Sequence, residues 1–421
     1  MNLNHFYKQK YAGRLAILQA QLGLDEQDLE LIARSRTIKG DQIIENYLTD
    51  FSIPEGVAVN FLINGQEKVV PMVTEEPSVV AATSHGAKMT LAGGGIQVQV
   101  TERLMMGQVL MAKVPDSDQL VSQLTQHETE ILKTANDAHP SIVKRGGGAK
   151  KMRIRKLTHQ FISLDIFIDT KEAMGANMIN SMLEAVVTYL QSDLQQNSLM
   201  AVLSNLSDEC LATATCQIPV TSLTTNQLSG KTVADRIALA SLAAQVDPYR
   251  AATHNKGIMN GVDAVVMATG NDWRSMESGT HAYASKNGQY QGLSDWQVVD
   301  DNLVGKLTLP MPVGFVGGSI KINPQAQLAH KLLQINSVKE LEEVIVSVGL
   351  AQNLAALNAL VSEGIQRGHM HLQAKSLLLG VGATNAELTQ AQLALEKVPV
   401  MDVRAAKQVL KKLRNEGEIN E

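Results

Sequence analysis

The side chains best suited to chemistry lie in a few short polar segments. Glu75-Glu76-Pro77-Ser78 sets two adjacent carboxyls and a hydroxyl before an apolar run. Burial raises a carboxyl's pKa toward the range of a proton donor, although a charged turn is the plainer reading of the same residues. In His254-Asn255-Lys256-Gly257-Ile258-Met259-Asn260-Gly261 one lysine stands among polar residues and glycines in an otherwise uncharged stretch. Read as a helix start, this puts Lys256 in positive potential and out of water, lowering its pKa and aiming an ammonium at developing negative charge. The plainer reading is a surface lysine on a turn. Gly270-Asn271-Asp272-Trp273-Arg274 follows the apolar run AVVMATG and reads as an acid leaving a buried strand, placed to pair with a buried lysine. Arg367-Gly368-His369-Met370-His371 offers a proton-donating histidine at a segment boundary, or a solvated helix start. Its two histidines, at i and i+2, face different sides of a helix and make no metal pair, so no metal is expected.

A fifth segment, Glu172-Ala173-Met174-Gly175-Ala176-Asn177, is a glycine-containing turn into a helix, whose backbone N–H groups suit a phosphate or a cofactor edge. Upstream, Lys150, Lys151, Arg153, Arg155 and Lys156 form a basic strand, which equally fits a sheet edge protected by charge. The usual nucleotide signatures are missing. Gly380-Val381-Gly382-Ala383-Thr384-Asn385 lacks the third glycine and a surrounding βαβ unit, so it reads as a helix end. No Walker loop, nucleophile-elbow serine or H-E-x-x-H zinc helix occurs. Two cysteines, Cys210 and Cys216, cannot build a disulfide framework or a zinc site, and a reducing cytoplasm fits them.

These segments need a sizeable scaffold to position them. With 421 residues, 44% hydrophobic and 19% charged, and a net charge of only −5, the chain predicts two or three domains and no general nucleic-acid surface. The N-terminus lacks the apolar core of a secretory signal, and Val344 to Val361 is interrupted by Ser347, Gln352, Asn353 and Asn358. That stretch reads as a packed internal helix, and no membrane association is expected. Leu15, Leu18, Leu22 and then Leu29, Ile32, Ala33 predict two opening helices, with Asp25 as a cap between them. VAVNFLI and KVVPMV around Asn64-Gly65 predict a hairpin that leads to Glu75 and Glu76. From about residue 104 a separate α+β unit begins. It holds a polar helix near 117 to 136, the Gly146–Gly148 turn, the basic strand, the alternating strand FISLDIFID and a helix with Met178, Met182 and Val186 on one face. Long small-residue helices follow from about Gly230, and the last fifty residues form a charged helical appendage.

Taken together, the chain resembles the class II, bacterial form of hydroxymethylglutaryl-CoA reductase. The resemblance runs from about Ile44 to His371 through ENYLTDFSIPEGVAVNF, VTEEPSVVAA, EAMGANMIN, DPYRAATHNKGIMNGVDAVVMATGNDW, PMPVGFVGG and EGIQRGHM, in order. It implies an α/β (α+β) fold without a Rossmann domain. A large acyl-CoA-binding domain would comprise residues 1–104 and 218–370, with an inserted ferredoxin-like cofactor domain at 105–217 and a C-terminal flap at 371–421. It implies a cytoplasmic homodimer with its site at the subunit interface. The catalytic residues would be Glu76, Lys256, Asp272 and His369. Ser78, Arg250 and Asn260 would bind the hydroxymethylglutaryl group, and Lys150, Lys151, Glu172, Met174, Gly175, Ala176 and Asn177 the cofactor.

The reaction so implied reduces the thioester to mevalonate and CoA in two hydride transfers through a thiohemiacetal and mevaldehyde. Lys256 would stabilise the oxyanion with Asp272 orienting it, His369 would protonate the departing thiolate, and Glu76 would supply the alcohol proton. Lys150 and Lys151 favour a 2′-phosphate, hence NADPH, with NADH possible. The alternative is the NAD-dependent oxidative direction from mevalonate; a cysteine acyltransferase and a non-catalytic CoA-binding protein are further rivals. One departure is ENYLT at Glu45 to Thr49, where the bulky Tyr47 replaces the family's smaller, glycine-containing interface motif.

Overall fold

The computed structural model describes residues 3–318, 320–362, 374–375, 377–398 and 400–417, in two compact units, Met1–Pro54 and Glu55–Glu421. The first unit holds helices α1 (Tyr11–Leu22), α2 (Glu26–Arg34) and α3 (Ile38–Ile43). Asp25 caps α2 as its type predicts, accepting from the Asp28 N–H at 3.0 Å while the Asp28 carboxylate accepts from the Asp25 N–H. Tyr47 is an internal anchor of this unit: buried, it accepts from the Thr37 N–H at 2.8 Å and donates to Asp50 at 3.0 Å.

The second unit opens with β1 (Glu55–Ile63) and β2 (Gln66–Val73), paired antiparallel. Asn64 (φ 49°) and Gly65 (φ 78°) both take positive φ, as a type I′ turn requires. Then come α4 (Val79–Thr90) and β3 (Gln97–Val100). The next stretch is β4 (Met105–Ala112), α5 (Ser117–Gln126), α6 (Glu128–Ala138), α7 (Pro140–Lys144), β5 (Gly148–Thr158), β6 (Phe161–Asp169), α8 (Ala176–Ser192) and β7 (Met200–Leu203). Its strands lie in the order β5-β6-β4-β7, the βαββαβ arrangement of a ferredoxin-like unit. The single helix expected near 117 to 136 is two, because His127, at φ −100° and ψ 16°, breaks the helical path.

β8 (Leu211–Pro219) follows, then α9 (Gly230–Val246), α10 (Pro248–Ala268), α11 (Trp273–Ala284), β9 (Ser294–Val299), β10 (Asn302–Pro310), α12 (Pro324–Leu333) and α13 (Val338–Val361). A second sheet runs β3-β8-β10-β9, so residues 211–217 pair within the large part rather than with the inserted sheet. Every ladder among the described strands is antiparallel, which excludes a doubly wound parallel sheet there and accounts for the missing dinucleotide fingerprint. α13 is long and apolar enough to cross a membrane, yet it runs through the core, with most residues from Leu341 to Leu357 buried. Near the C-terminus, α14 (Asn385–Leu395) and α15 (Val403–Gly417) share a separate small core that includes Leu378, Leu388, Leu395 and Leu410.

Candidate active site

The turn between β2 and α4 carries Glu76 and Ser78. Thr74 Oγ1 accepts from the Glu76 N–H at 3.2 Å, and Ser78 takes a left-handed φ of 79° at the entry to α4. Opposite lies α10, started by Pro248 at its first turn and by Asp247, whose carboxylate accepts from the N–H groups of Tyr249 and Arg250. Arg250, Thr253, Lys256 and Asn260 recur at three and four residues, so one face of α10 presents them together. With Glu76 and Ser78 they line a cavity of about 230 Å³, backed by Gln352 and Asn353 of α13. Lys256 Nζ lies 2.6 Å from Glu76 Oε2. Burial holds the Arg250 guanidinium below its ordinary pKa, and among the described residues no carboxylate pairs with it.

Two expectations about this region change. Lys256 is not at a helix start: Pro248 and Asp247 set the N-terminus earlier, and Gly257 and Gly261 are helical residues rather than turn residues. Gly261 serves packing, since a Cβ there would come within 2.9 Å of Val348 on α13. Nor is the pair dry, for the Lys256 and Glu76 side chains remain 60% and 36% exposed.

Behind the cavity lies a polar network whose roles residue type alone did not assign. His254 Nε2 is 2.6 Å from Ser294 Oγ, Ser294 Oγ is 2.8 Å from Asn353 Oδ1, and Trp296 Nε1 donates to Asn353 Oδ1 at 2.7 Å. Burial, then the Arg250 charge, pushes His254 down to about 4, so its imidazole is neutral at neutral pH. The available signal was the adjacent Gln352-Asn353 among the polar residues that interrupt the apolar stretch Val344 to Val361.

A second cleft, of about 500 Å³, is lined by Met174, Gly175, Ala176 and Asn177, by Gly270, Asn271 and Asp272, and by Gly314 and Val316–Gly318. Gly175, with φ 89°, precedes α8 and offers no side-chain cap, which leaves the N-terminal N–H groups of a 17-residue helix for an anion. Gly314 permits close backbone approach, since a Cβ there would lie 2.6 Å from Met174 N. Asn271 Oδ1 accepts from the Gly314 N–H at 2.8 Å. These features fit a dinucleotide. Asp272 leaves a helix, not a strand: α10 ends at Ala268, and Asp272 caps α11 by accepting from the N–H groups of Arg274 and Ser275 at 3.0 and 3.2 Å.

Other expected cofactor residues lie elsewhere. The Glu172 carboxylate accepts from the Val338 N–H at 2.6 Å, and its carbonyl accepts from Phe315 and Val316, so it braces the cleft wall. Lys150 donates to the Gly146 carbonyl at 2.9 Å, and Lys151 pairs with Glu209 over the Phe167 ring. Neither lines the cleft. Arg153 and Arg155 bind Asp165. Burial pushes that carboxyl up, but hydrogen bonds from Arg155, Ser163 and Arg153 outweigh it and hold it below its ordinary value.

Lys256 and Asp272 of one chain thus line different cavities. The helical residues from Lys256 to Ala268 alone span about 18 Å at 1.5 Å per residue, and among the described residues no contact joins the two side chains. His369 lies outside the described residues.

The family model for hydroxymethylglutaryl-coenzyme A reductase matches residues 10–374. A 3-hydroxy-3-methylglutaryl-coenzyme A reductase from Archaeoglobus fulgidus is 37% identical over 97% of this chain and 94% of its own length. A probable reductase of the same name from Borreliella burgdorferi is 34% identical over 89% and 88%. Among solved structures, the enzyme from Streptococcus pneumoniae superposes with a TM-score of 0.76 at 46% identity, covering 98% of this chain and 100% of that one. A class II structure from the same organism, bound to NADPH in open conformations, gives a TM-score of 0.76 at 46% identity over 96% and 100%.

Proposed function

This chain belongs to the hydroxymethylglutaryl-coenzyme A reductase family, and on that footing we propose how its own residues carry the reaction. The protein reduces hydroxymethylglutaryl-CoA to mevalonate and CoA with NADPH, the reductive direction rather than the NAD-dependent oxidative one. NADPH supplies one hydride to each of the two steps.

Lys256 presents its ammonium to the oxyanion as it forms on the thioester carbon and again on the aldehyde carbon. Glu76, 2.6 Å from that ammonium, holds it in place as a carboxylate and, after taking up a proton from solvent, donates that proton to the alcohol oxygen. His369 protonates the departing thiolate, which prevents its return to the aldehyde. Arg250 pairs with the free carboxylate of the acyl group, while Ser78 and Asn260 bind its oxygens. Gly175, Ala176 and Asn177, with Met174 beside them, hold the dinucleotide at the α8 N-terminus. The observation that carries this reading is the convergence of Glu76, Ser78, Arg250, Lys256 and Asn260 on one cavity.

The separation of Lys256 from Asp272 supports a homodimer in which the Asp272 cleft of one copy meets the Lys256 cavity of another. Leu239, Leu242 and Val246 of α9 and Tyr249 of α10 add an exposed apolar surface close to Arg250. The proposed location is the cytoplasm, consistent with two buried, unpaired cysteines.

The decisive assay mixes the purified protein with hydroxymethylglutaryl-CoA and NADPH and follows nicotinamide absorbance and free thiol together. Two NADPH consumed per thiol released is the expected ratio, and a ratio of one or no thiol removes the reading. Composite sites are tested by mixing inactive Lys256→Ala and Asp272→Ala subunits. Random exchange restores about a quarter of wild-type activity if each site draws on two chains, and none if one chain suffices.

A further inference from the structure

The inserted unit joins the large part where residues entering it and residues leaving it run side by side. The Thr101 N–H donates to the Leu211 carbonyl at 2.9 Å, and Leu104 pairs with Glu209. From the entering segment between β3 and β4 Arg103 turns inward and is almost wholly buried, and its guanidinium reaches three separate parts of the fold. Nε lies 2.5 Å from Glu342 Oε1 on α13, Nη2 donates to the Val313 carbonyl at 2.7 Å, and Nη1 donates to the Lys171 carbonyl.

Two of those acceptors stand at the base of the dinucleotide cleft. Lys171 adjoins Glu172, whose carbonyl receives the Phe315 and Val316 N–H groups, and the loop then runs on to Gly175. Val313 precedes Gly314, against which Met174 packs. The third acceptor, Glu342, is completely buried in the helix that also carries Gln352 and Asn353 behind the acyl-group cavity. A lysine has one ammonium centre and cannot span three such acceptors, whereas the planar fork of an arginine can.

We propose that Arg103, seated on Glu342, is a positioning residue that locks the Lys171–Asn177 loop against Val313–Gly318 and so sets affinity for the dinucleotide without touching the acyl-CoA cavity. This rests on the reading of that cleft as the dinucleotide site. Two supporting details concern the seat itself. Burial pushes Glu342 up to about 7, and the Arg103 charge works against that rise. Cys210, just before β8, is buried and packs with its Sγ 3.3 Å from the Met311 carbonyl and 3.8 Å from Glu342 Oε1.

The test compares wild type with Arg103→Lys and Glu342→Gln in KM for NADPH, KM for hydroxymethylglutaryl-CoA, NADPH titration by nicotinamide fluorescence, and Tm. The expected result is a rise of about tenfold in NADPH KM and Kd together, with the acyl-CoA KM within about twofold of wild type. Both KM values moving equally, neither moving, or a fall in Tm alone overturns the proposal. Should Arg103→Lys fail to fold, Glu342→Gln decides by the same split. Wild-type protein that does not bind NADPH would instead remove the cleft assignment on which the proposal stands, an outcome distinct from normal wild-type binding with unchanged variants.

Discussion

Two ion pairs of almost equal length behave as opposites. Lys256 and Glu76 meet at 2.6 Å with their side chains 60% and 36% exposed, while Arg103 and Glu342 meet at 2.5 Å at 10% and 0%. In water the attraction is screened and both groups keep their hydration, so the first pair adds little stability and remains free to turn toward a substrate oxygen. The second has given up its hydration and is held by the Arg103 contact at Glu342 Oε1, while Oε2 is buried without a hydrogen-bond partner among the described residues, so stranding either charge is costly. The charge proposed to react is thus held loosely and the charge proposed to position tightly.

The largest effect that tests this contrast is on turnover. Lys256→Met should lower kcat by about 10²–10³-fold, the scale of losing one oxyanion stabiliser, while leaving Tm unchanged. Near wild-type kcat would break the comparison at its functional end. Glu342→Ala should do the reverse to stability, costing about 3–5 kcal/mol because it strands a buried guanidinium; denaturant unfolding measures it. A loss below about 1 kcal/mol, the range of exposed pairs, would erase the distinction.

A third pair sharpens the point because its members have the same sign. Asp263 of α10 faces Glu277 of α11, and burial, then the contact with Glu277, raises Asp263 to about 9 from its ordinary 3.8. Between about pH 4 and 9 the folded protein therefore holds a proton that the unfolded chain releases, and stability falls as pH rises through that window. Asp263→Asn cannot titrate, so the stability of wild type relative to this variant should decline steadily from pH 5 to 9 in parallel denaturation series. A difference independent of pH would show that Asp263 is ionised throughout.

The smallest effect belongs to the thiols. Burial pushes Cys210 and Cys216 up to about 12, so thiol-directed alkylation at neutral pH should leave the native protein unmodified and fully active, as mass measurement and assay would show. Loss of activity in step with labelling would revive a cysteine nucleophile.

Much of this was legible in local sequence, and the exceptions are instructive. Asn64-Gly65 dictated the hairpin because only positive φ at both positions matches strand twist, and Asp25 announced a helix N-terminus because its carboxylate reaches N–H groups three residues on. Glycine misled. In HNKGIMNG it reads as a turn, but Gly261 is helical because α13 packs too close for a side chain. The basic strand misled in another way: Arg153 and Arg155 are consumed by Asp165 on the neighbouring strand, a partner that residue type could not nominate.

What the chain determined by itself is whatever depends on neighbours within a few residues: turns, caps and helix faces. The family resemblance added which side chains are proposed to react. Only the tertiary structure decided which charges are wet and which dry, that Asp272 lines the α8-loop cleft rather than the Lys256 cavity of its own chain, and that Arg103 meets a glutamate 239 residues away. Solvation and long-range pairing arise from surfaces that exist only after the chain has folded, so no local pattern of residues encodes them.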